Sequence, residues 1–331
     1  MSQKWPILFA ILGLFIAYEW SGTQGVLISF MLIIMEISLS FDNAILNATV
    51  LAKMDAVWQK RFLTWGLFIA VFGLRFLFPI LIVAIIAKLS LIEVLNLALF
   101  QPHVYSQHLH EAHIGISAFG GIFLLLVFLS FIFDQKREIH WLGKLEKKLN
   151  SIGKLEAMEI IITLFLLLIL TAQLPKAHQA EALTAGIAGI IVFLMINSIT
   201  ALLAKTTKLT VRSLKHAGLM NFIYLEVLDA SFSFDGVIGA FAITKDVMII
   251  MIGLAIGAFF VRSLTLLLVH KRSLEKYLYL EHGAHYAIGA LSVIMLMSMS
   301  IPIPELLTGL IGMVFIGLSF FSSVRHNNKK A

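Results

Sequence analysis

The sequence predicts an all-α polytopic membrane protein, and three observations carry that prediction. Of its 331 residues 60% are hydrophobic and only 13% charged, where soluble domains carry roughly a quarter. Its mean hydropathy is +0.95. The apolar residues fall in runs of about 17 to 25, the length that crosses a bilayer, while the basic residues gather between the runs.

The runs are taken in order. The first, 5–20 in MSQKWPILFAILGLFIAYEW, has the charge and apolar core of a signal peptide but no small-x-small site after it, so a retained helix is expected. The second, 24–52, carries Glu36, Ser40, Asp42, Asn43 and Asn47, and the third, 62–87, carries Arg75. The fourth and fifth, 115–133 and 157–174, and the sixth, 182–204, are nearly free of charge. The seventh, 218–243, carries Glu226, Asp229, Ser233 and Asp235, and the eighth, 247–269, carries Arg262. Shorter runs at 284–300 and 305–323 complete an expected ten.

Loop charge tests that count, because Lys and Arg collect on the cytoplasmic side. With the N-terminus inside, the inner loops hold the clusters around Lys60, Lys147, Lys208 and Lys271 and the C-terminal Arg325, while the outer loops hold only Lys88, Lys176 and Lys245. An N-in/C-in protein of the cell inner (plasma) membrane is expected. The formal net charge of +6 therefore reflects loops in contact with the bilayer surface and implies no nucleic-acid partner. With no Cys, a metal site has oxygen or imidazole donors only.

The segment MEISLSFDNAIL returns as YLEVLDASFSFDGVIGAF. Aligning Asp42 with Asp235 aligns Glu36 with Asp229 and Ser40 with Ser233, and the next run in each copy carries one arginine, Arg75 or Arg262. Five runs separate the copies, so the second crosses in the opposite direction. Two inverted five-helix repeats are expected, 1–174 with a cytoplasmic loop at 134–156, and 175–331, with a binding site near the midplane where the repeats meet.

Glu36, Asp42, Glu226, Asp229 and Asp235 all fall within about 9 Å of the midplane at 1.5 Å per residue. Each costs about 2.5–3.5 kcal/mol to insert, and protons, water or a cation must compensate what the two arginines do not. Glu36, Ser40, Asn43 and Asn47 share one helical stripe, and Glu226, Asp229, Ser233 and Gly236 share another. Asp42 lies about 240° round an ideal helix from Glu36. Two readings stay open: an unwound Ser-Phe-Asp segment gathers all the carboxylates, or Asp42 and Asp235 pair with the arginines. Carboxylates, amides and hydroxyls form a hard donor set suited to manganese, magnesium or calcium.

The outer loop FQPHVYSQHLHEAHIG places His103, His108, His110 and His113 close together, a possible metal-capture segment or an ordinary interfacial one. Glu281, His282 and His285 form a smaller inner cluster, and EIHWLGKLEKKLNSIGKLE has the composition of an interfacial amphipathic helix.

The repeated Glu/Asp and Ser-Phe-Asp elements resemble the TerC-like integral membrane proteins, named for tellurium resistance and grouped with the LysE-type exporters. That resemblance implies divalent cation handling, chiefly manganese export, with metal coordination by Glu36, Asp42, Asn43, Asp229 and Asp235. One departure is that Gly236 stands where the first copy has Asn43. A secondary exporter of a divalent metal as substrate, working by alternating access with possible proton antiport, is the leading expectation. No enzyme motif accompanies the runs. An exporter of an amino acid or oxyanion using Arg75 and Arg262, and a non-transporting sensing module that docks a tellurite-response partner, are the alternatives. A homo-oligomer is possible.

Overall fold

The computed structural model describes residues 4–135, 137–152, 157–205, 211–271, 276–301 and 303–328, and these are helical with no strand among them. The first helix, α1 (Lys4–Leu39), is two arms joined at Ser21 and Gly22. Gly22 has φ 63° and ψ −154°, a conformation essentially restricted to glycine, so the chain turns where the first two apolar runs were expected to separate. The second arm continues through a kink at Ser40 (φ −106°, ψ 13°) into α2 (Phe41–Leu51).

Next come α3 (Ala56–Arg61), π-helical turns at Phe62–Gly66 and Ile69–Leu77, and α4 (Phe78–Ala87). The two halves of this segment are bent by 41°. The region expected as an outer loop folds into α5 (Leu91–Phe100) and α6 (Pro102–Glu111). A capping box starts α5, and the N–H and hydroxyl of Ser90 hold the Glu93 carboxyl below its ordinary range. Then follow α7 (His113–Phe133), α8 (Lys144–Ile152), α9 (Met158–Ala172), α10 (Lys176–Lys205), α11 (Val211–Ile243), α12 (Val247–His270), α13 (Leu280–Ser298) and α14 (Glu305–Asn328).

Each expected run corresponds to helix, but the described helices that are long and apolar enough to cross a bilayer by themselves number five, or six if the bent pair is one span. The chain is a polytopic membrane protein. Helix α9, at 15 residues, is shorter than a full span, the first turns of α13 carry Glu281, His282 and His285, and the other remaining runs are kinked or interrupted by charge.

Position in the bundle follows from composition. In α7 the apolar residues go all round, which marks a helix enclosed by others. Of its most apolar 18 residues 78% are buried, against 28% in the corresponding stretch of α1, and it packs on α9, α10, α11 and α13. Ile122, Phe123, Leu124 and Leu126 are wholly enclosed there. Around α1 the exposed side chains are themselves apolar, including Leu8, Leu12 and Phe15, as hydrocarbon surroundings permit.

One packing contact sets the site. Gly253 and Gly257 of α12 are four residues apart, and a Cβ at either would lie 2.6 Å from the α1 side chains Leu32 and Glu36 respectively. Small residues at this spacing let membrane helices approach closely, and the approach lays the stem of Glu36 directly on the α12 backbone. The expected amphipathic helix forms as α8, but its anchor is a buried acid. Glu146 accepts from Trp141 N (3.0 Å), Leu142 N (3.3 Å), Arg137 Nη2 (3.3 Å) and the Tyr286 hydroxyl of α13 (3.0 Å).

Candidate functional site

The kink at Ser40 leaves the helical hydrogen bonds in place, Ser40 N to Glu36 O at 3.0 Å and Ala44 N to Ser40 O at 3.1 Å. The Ser40 hydroxyl turns back to donate to Glu36 Oε1 at 2.9 Å instead of capping α2. The same carboxylate oxygen accepts from Arg75 Nη2, while Arg75 Nη1 donates to Ala70 O at 2.7 Å. Arg75 sits on the second π-helical segment, a distortion frequent at functional sites. The side chains of Arg75 and Glu36 are 8% and 1% exposed, so this is a largely enclosed ion pair.

The second half repeats the arrangement. Arg262 Nη2 donates to Asp229 Oδ2 and, at 3.3 Å, to Glu226 Oε1. Its guanidinium lies 3.8 Å above the Phe62 ring, and Nη1 reaches Phe62 O at 3.4 Å. In each repeat, then, the aligned acid (Glu36 or Asp229) pairs with the aligned arginine (Arg75 or Arg262).

The two halves meet in one register. Asn43 and Asn47 of α2 donate to Asp229 Oδ1 at 2.6 and 2.8 Å. Gly236 of α11 lies against Glu36, where a Cβ would be 2.9 Å from Oε2. Seven residues forward from Glu36 to Asn43 match seven residues back from Gly236 to Asp229, so α1–α2 and α11 run antiparallel. The repeat alignment that equates Glu36 with Asp229 also equates Asn43 with Gly236. The contacts Glu36–Gly236 and Asp229–Asn43 are therefore images of one another, as in an isologous interface. They differ in that Asn43 supplies a donor and Gly236 supplies none.

Around this crossing the buried oxygens Asn43 Oδ1, Asn47 Oδ1 and Ser233 Oγ have no hydrogen-bond partner among the described residues. Buried acceptors are ordinarily satisfied, so these are the atoms with capacity to ligate a cation.

The stripe residues Glu36, Ser40, Asn43, Asn47, Glu226, Asp229 and Ser233 are thus brought together with both arginines. Asp42 is buried on another face, toward Gly312 of α14, where a Cβ would stand 3.6 Å from its Oδ2. Neither reading of Asp42 holds: the kink is too slight to turn it inward, and the arginines take Glu36, Glu226 and Asp229. In the second copy α11 runs unbroken through 211–243, so the two copies do not share an interruption. The side chain of Asp235 lies outside the described residues.

The histidines of the segment expected outside disperse. His103, His108 and His110 ride on α6, where His108 Nδ1 lies 3.0 Å from Glu111. His113 opens α7 and faces Ser117 and Ser298. Among the described residues no three His, Asp or Glu side chains are grouped as a preformed metal cluster.

A cavity of about 770 Å³ opens beside the crossing. Leu46, Thr49 and Val50 of α2 and Tyr224 of α11, close in sequence to Asn47 and Glu226, line it together with Lys53, Asp134, Glu159, Glu281 and His285. Sequence reasoning missed this vestibule, because its lining comes from segments far apart in the chain. It also missed Glu146, which sits among three lysines and reads as solvated.

The family model described as Protein of unknown function (DUF475) matches residues 41–330. The chain belongs to this family. The DUF475 match takes in Asn43, Asn47, Arg75, Asp229 and Arg262 and begins after Glu36. No curated protein and no solved structure matches the chain.

Proposed function

We propose that this DUF475 protein is a secondary transporter that exports a divalent metal cation, manganese favoured, by alternating access around Asn43, Asn47 and Asp229. The observation that carries the reading is the crossing of α2 and α11, where Asp229 faces two asparagines with orphaned amide oxygens. Turning each amide by 180° exchanges its N–H group for its oxygen. Asn43 Oδ1, Asn47 Oδ1 and Asp229 then converge, an arrangement that a cation holds together and that repels without one. With no cation bound, Arg262 neutralises Asp229. On loading, Arg262 keeps Glu226 as its partner while the divalent ion takes Asp229, so the local charge of Arg262, Glu226 and Asp229 passes from −1 to +1 and never exceeds one unit. Protons on the carboxylates of the returning carrier would couple export to proton entry.

The mirrored contacts support the inverted five-plus-five plan; ten crossings, both termini cytoplasmic and the inner membrane as location are proposed with it from the apolar runs and the loop charges. The resemblance to TerC-like proteins points the same way. An anion carrier using the arginines is less favoured, because Arg75 and Arg262 are both occupied by carboxylates.

The test is total cell metal by elemental mass spectrometry in manganese-loaded cells expressing wild type, Asp229→Asn, Asn43→Ala or Asp42→Asn at matched levels. Wild type is expected to lower manganese, and Asp229→Asn and Asn43→Ala to abolish the effect. If all strains match the empty vector for every divalent metal, the exporter reading is refuted. Loss with Asp42→Asn alone would move the site to the face toward α14.

A further inference from the structure

The vestibule contains a histidine prepared in a way that packing alone does not require. His285 is 7% exposed, and its ring stacks on Phe131 with centroids 3.6 Å apart and planes within 9°. Its Nδ1 lies 2.8 Å from the carbonyl oxygen of Glu281, one turn earlier on α13. A carbonyl only accepts, so Nδ1 carries the proton and Nε2 keeps its lone pair. This is the arrangement in which metal-binding histidines are held, the second ring nitrogen tied to a carbonyl or carboxylate. His285 lines the cavity, and Nε2 has no hydrogen-bond partner among the described residues. The stack explains where the ring lies; it does not explain an oriented, unpartnered acceptor facing an open space.

The walls supply matching charge. Glu281 is four residues before His285 and so shares its helical face, and Asp134 and Glu159 approach from other elements. Against these three carboxylates the described walls carry one lysine, Lys53, and the Arg137 guanidinium is near enough to act on Asp134 and Glu281.

We propose that His285 Nε2 and Glu281 form a second cation site in the vestibule, a waiting position for a divalent first-row transition metal on its way to Asp229. The proposal rests on the exporter reading for its direction, the vestibule being cytoplasmic on that topology. Imidazole favours such metals over magnesium and calcium, so this site adds a selectivity that the all-oxygen crossing lacks. Without three grouped protein ligands, water completes the shell and the ion exchanges readily, as a waiting position requires. A continuous face of α2 leads inward, since Asn43, Asn47 and Val50 recur at four and three residues and Val50 is already on the cavity wall.

The experiment is Mn²⁺ binding to the purified, tag-free full chain in lipid nanodiscs, read by isothermal titration and by pulsed electron paramagnetic resonance for coupling to ¹⁴N. Wild type should bind one ion with imidazole coupling and one without. His285→Phe, which keeps the ring stack, should lose the coupled ion and retain the other. Glu281→Gln exchanges a charged ligand for a neutral amide and should weaken the coupled ion about tenfold or more, at least the loss that follows when a residue supporting a ligand is changed. Should His285→Phe fail to fold, His285→Gln is expected to abolish the coupling in the same way. Absence of ¹⁴N coupling in wild type, its survival in a folded His285 variant, or unchanged affinity in Glu281→Gln overturns the proposal. Asp229→Asn separates the two readings: if both ions persist in it, the crossing is not a cation site, while the vestibule site stands.

Discussion

The close approach of α12 and α11 to Glu36 yields a graded prediction from three glycines. None of Gly236, Gly257 and Gly317 has a positive φ, so alanine is compatible with the backbone at each and only space decides the outcome. At Gly317 nothing lies within 4 Å of the added methyl. Alanine there should be neutral or stabilising by up to about 1 kcal/mol, the helix-propensity gain over glycine. At Gly236 the methyl would be 2.9 Å from Glu36 Oε2, a side-chain end pinned by its carboxylate bonds to Arg75 and Ser40. Glu36 must yield by a few tenths of an ångström, so an overpacking cost of about 1–3 kcal/mol less the propensity gain leaves a net loss of about 0–2 kcal/mol. At Gly257 two carbons of Glu36, Cβ and Cγ, would lie at 2.6 Å. These are close to the backbone and cannot swing away, so the helices must part and the loss should be about 3 kcal/mol or more. Reversible unfolding of the three alanine variants in mixed micelles gives the order. If Gly257→Ala is as stable as Gly317→Ala, the α1–α12 contact that positions Glu36 does not exist as described.

Four further outcomes are expected. Arg262→Ala leaves Glu226 and Asp229 without their shared partner, so metal-free stability should fall by about 3–5 kcal/mol; Mn²⁺ should then raise its Tm more than it raises that of wild type, and equal shifts would refute the exchange of Arg262 for cation. Arg262→Lys cannot reach both acids while covering Phe62, and should be less stable than wild type by thermal unfolding but retain more stability than the alanine variant. Glu146→Ala removes the acceptor for four donors, so trypsin should cut at Lys144, Lys147 and Lys148 many times faster; an unchanged rate would show that Glu146 does not anchor α8. Because the chain has no Cys, Lys148→Cys and Lys176→Cys can each be labelled alone; a membrane-impermeant maleimide should reach only position 176 from outside, and labelling of both would break the inverted plan.

Much of the site was legible before any coordinates. The spacing of Glu36, Ser40, Asn43 and Asn47 placed them on one helical face, and in the fold that face meets α11 at Asp229 and Gly236. The same arithmetic put Asp42 on a different face, where it is found. Pairing was less accessible. Periodicity says which side chains share a face but not which charges on other helices will meet them, so the choice of Glu36 and Asp229 over Asp42 as arginine partners came from the fold. The vestibule was invisible for the same reason: Val50, Glu159, Asn197 and His285 converge only once α2, the start of α9, α10 and α13 are packed.

The sequence by itself determined that this is a helical membrane protein with two related polar segments, because burying so many apolar residues and repeating acids at helical spacing both leave marks in local order. Tertiary structure decided how the repeats engage. The antiparallel register of α2 on α11, the arginine pairs and the orphaned oxygens between them depend on how closely helices approach. For α1 on α12 that distance is set by Gly253 and Gly257, a property of two surfaces together that neither segment carries alone.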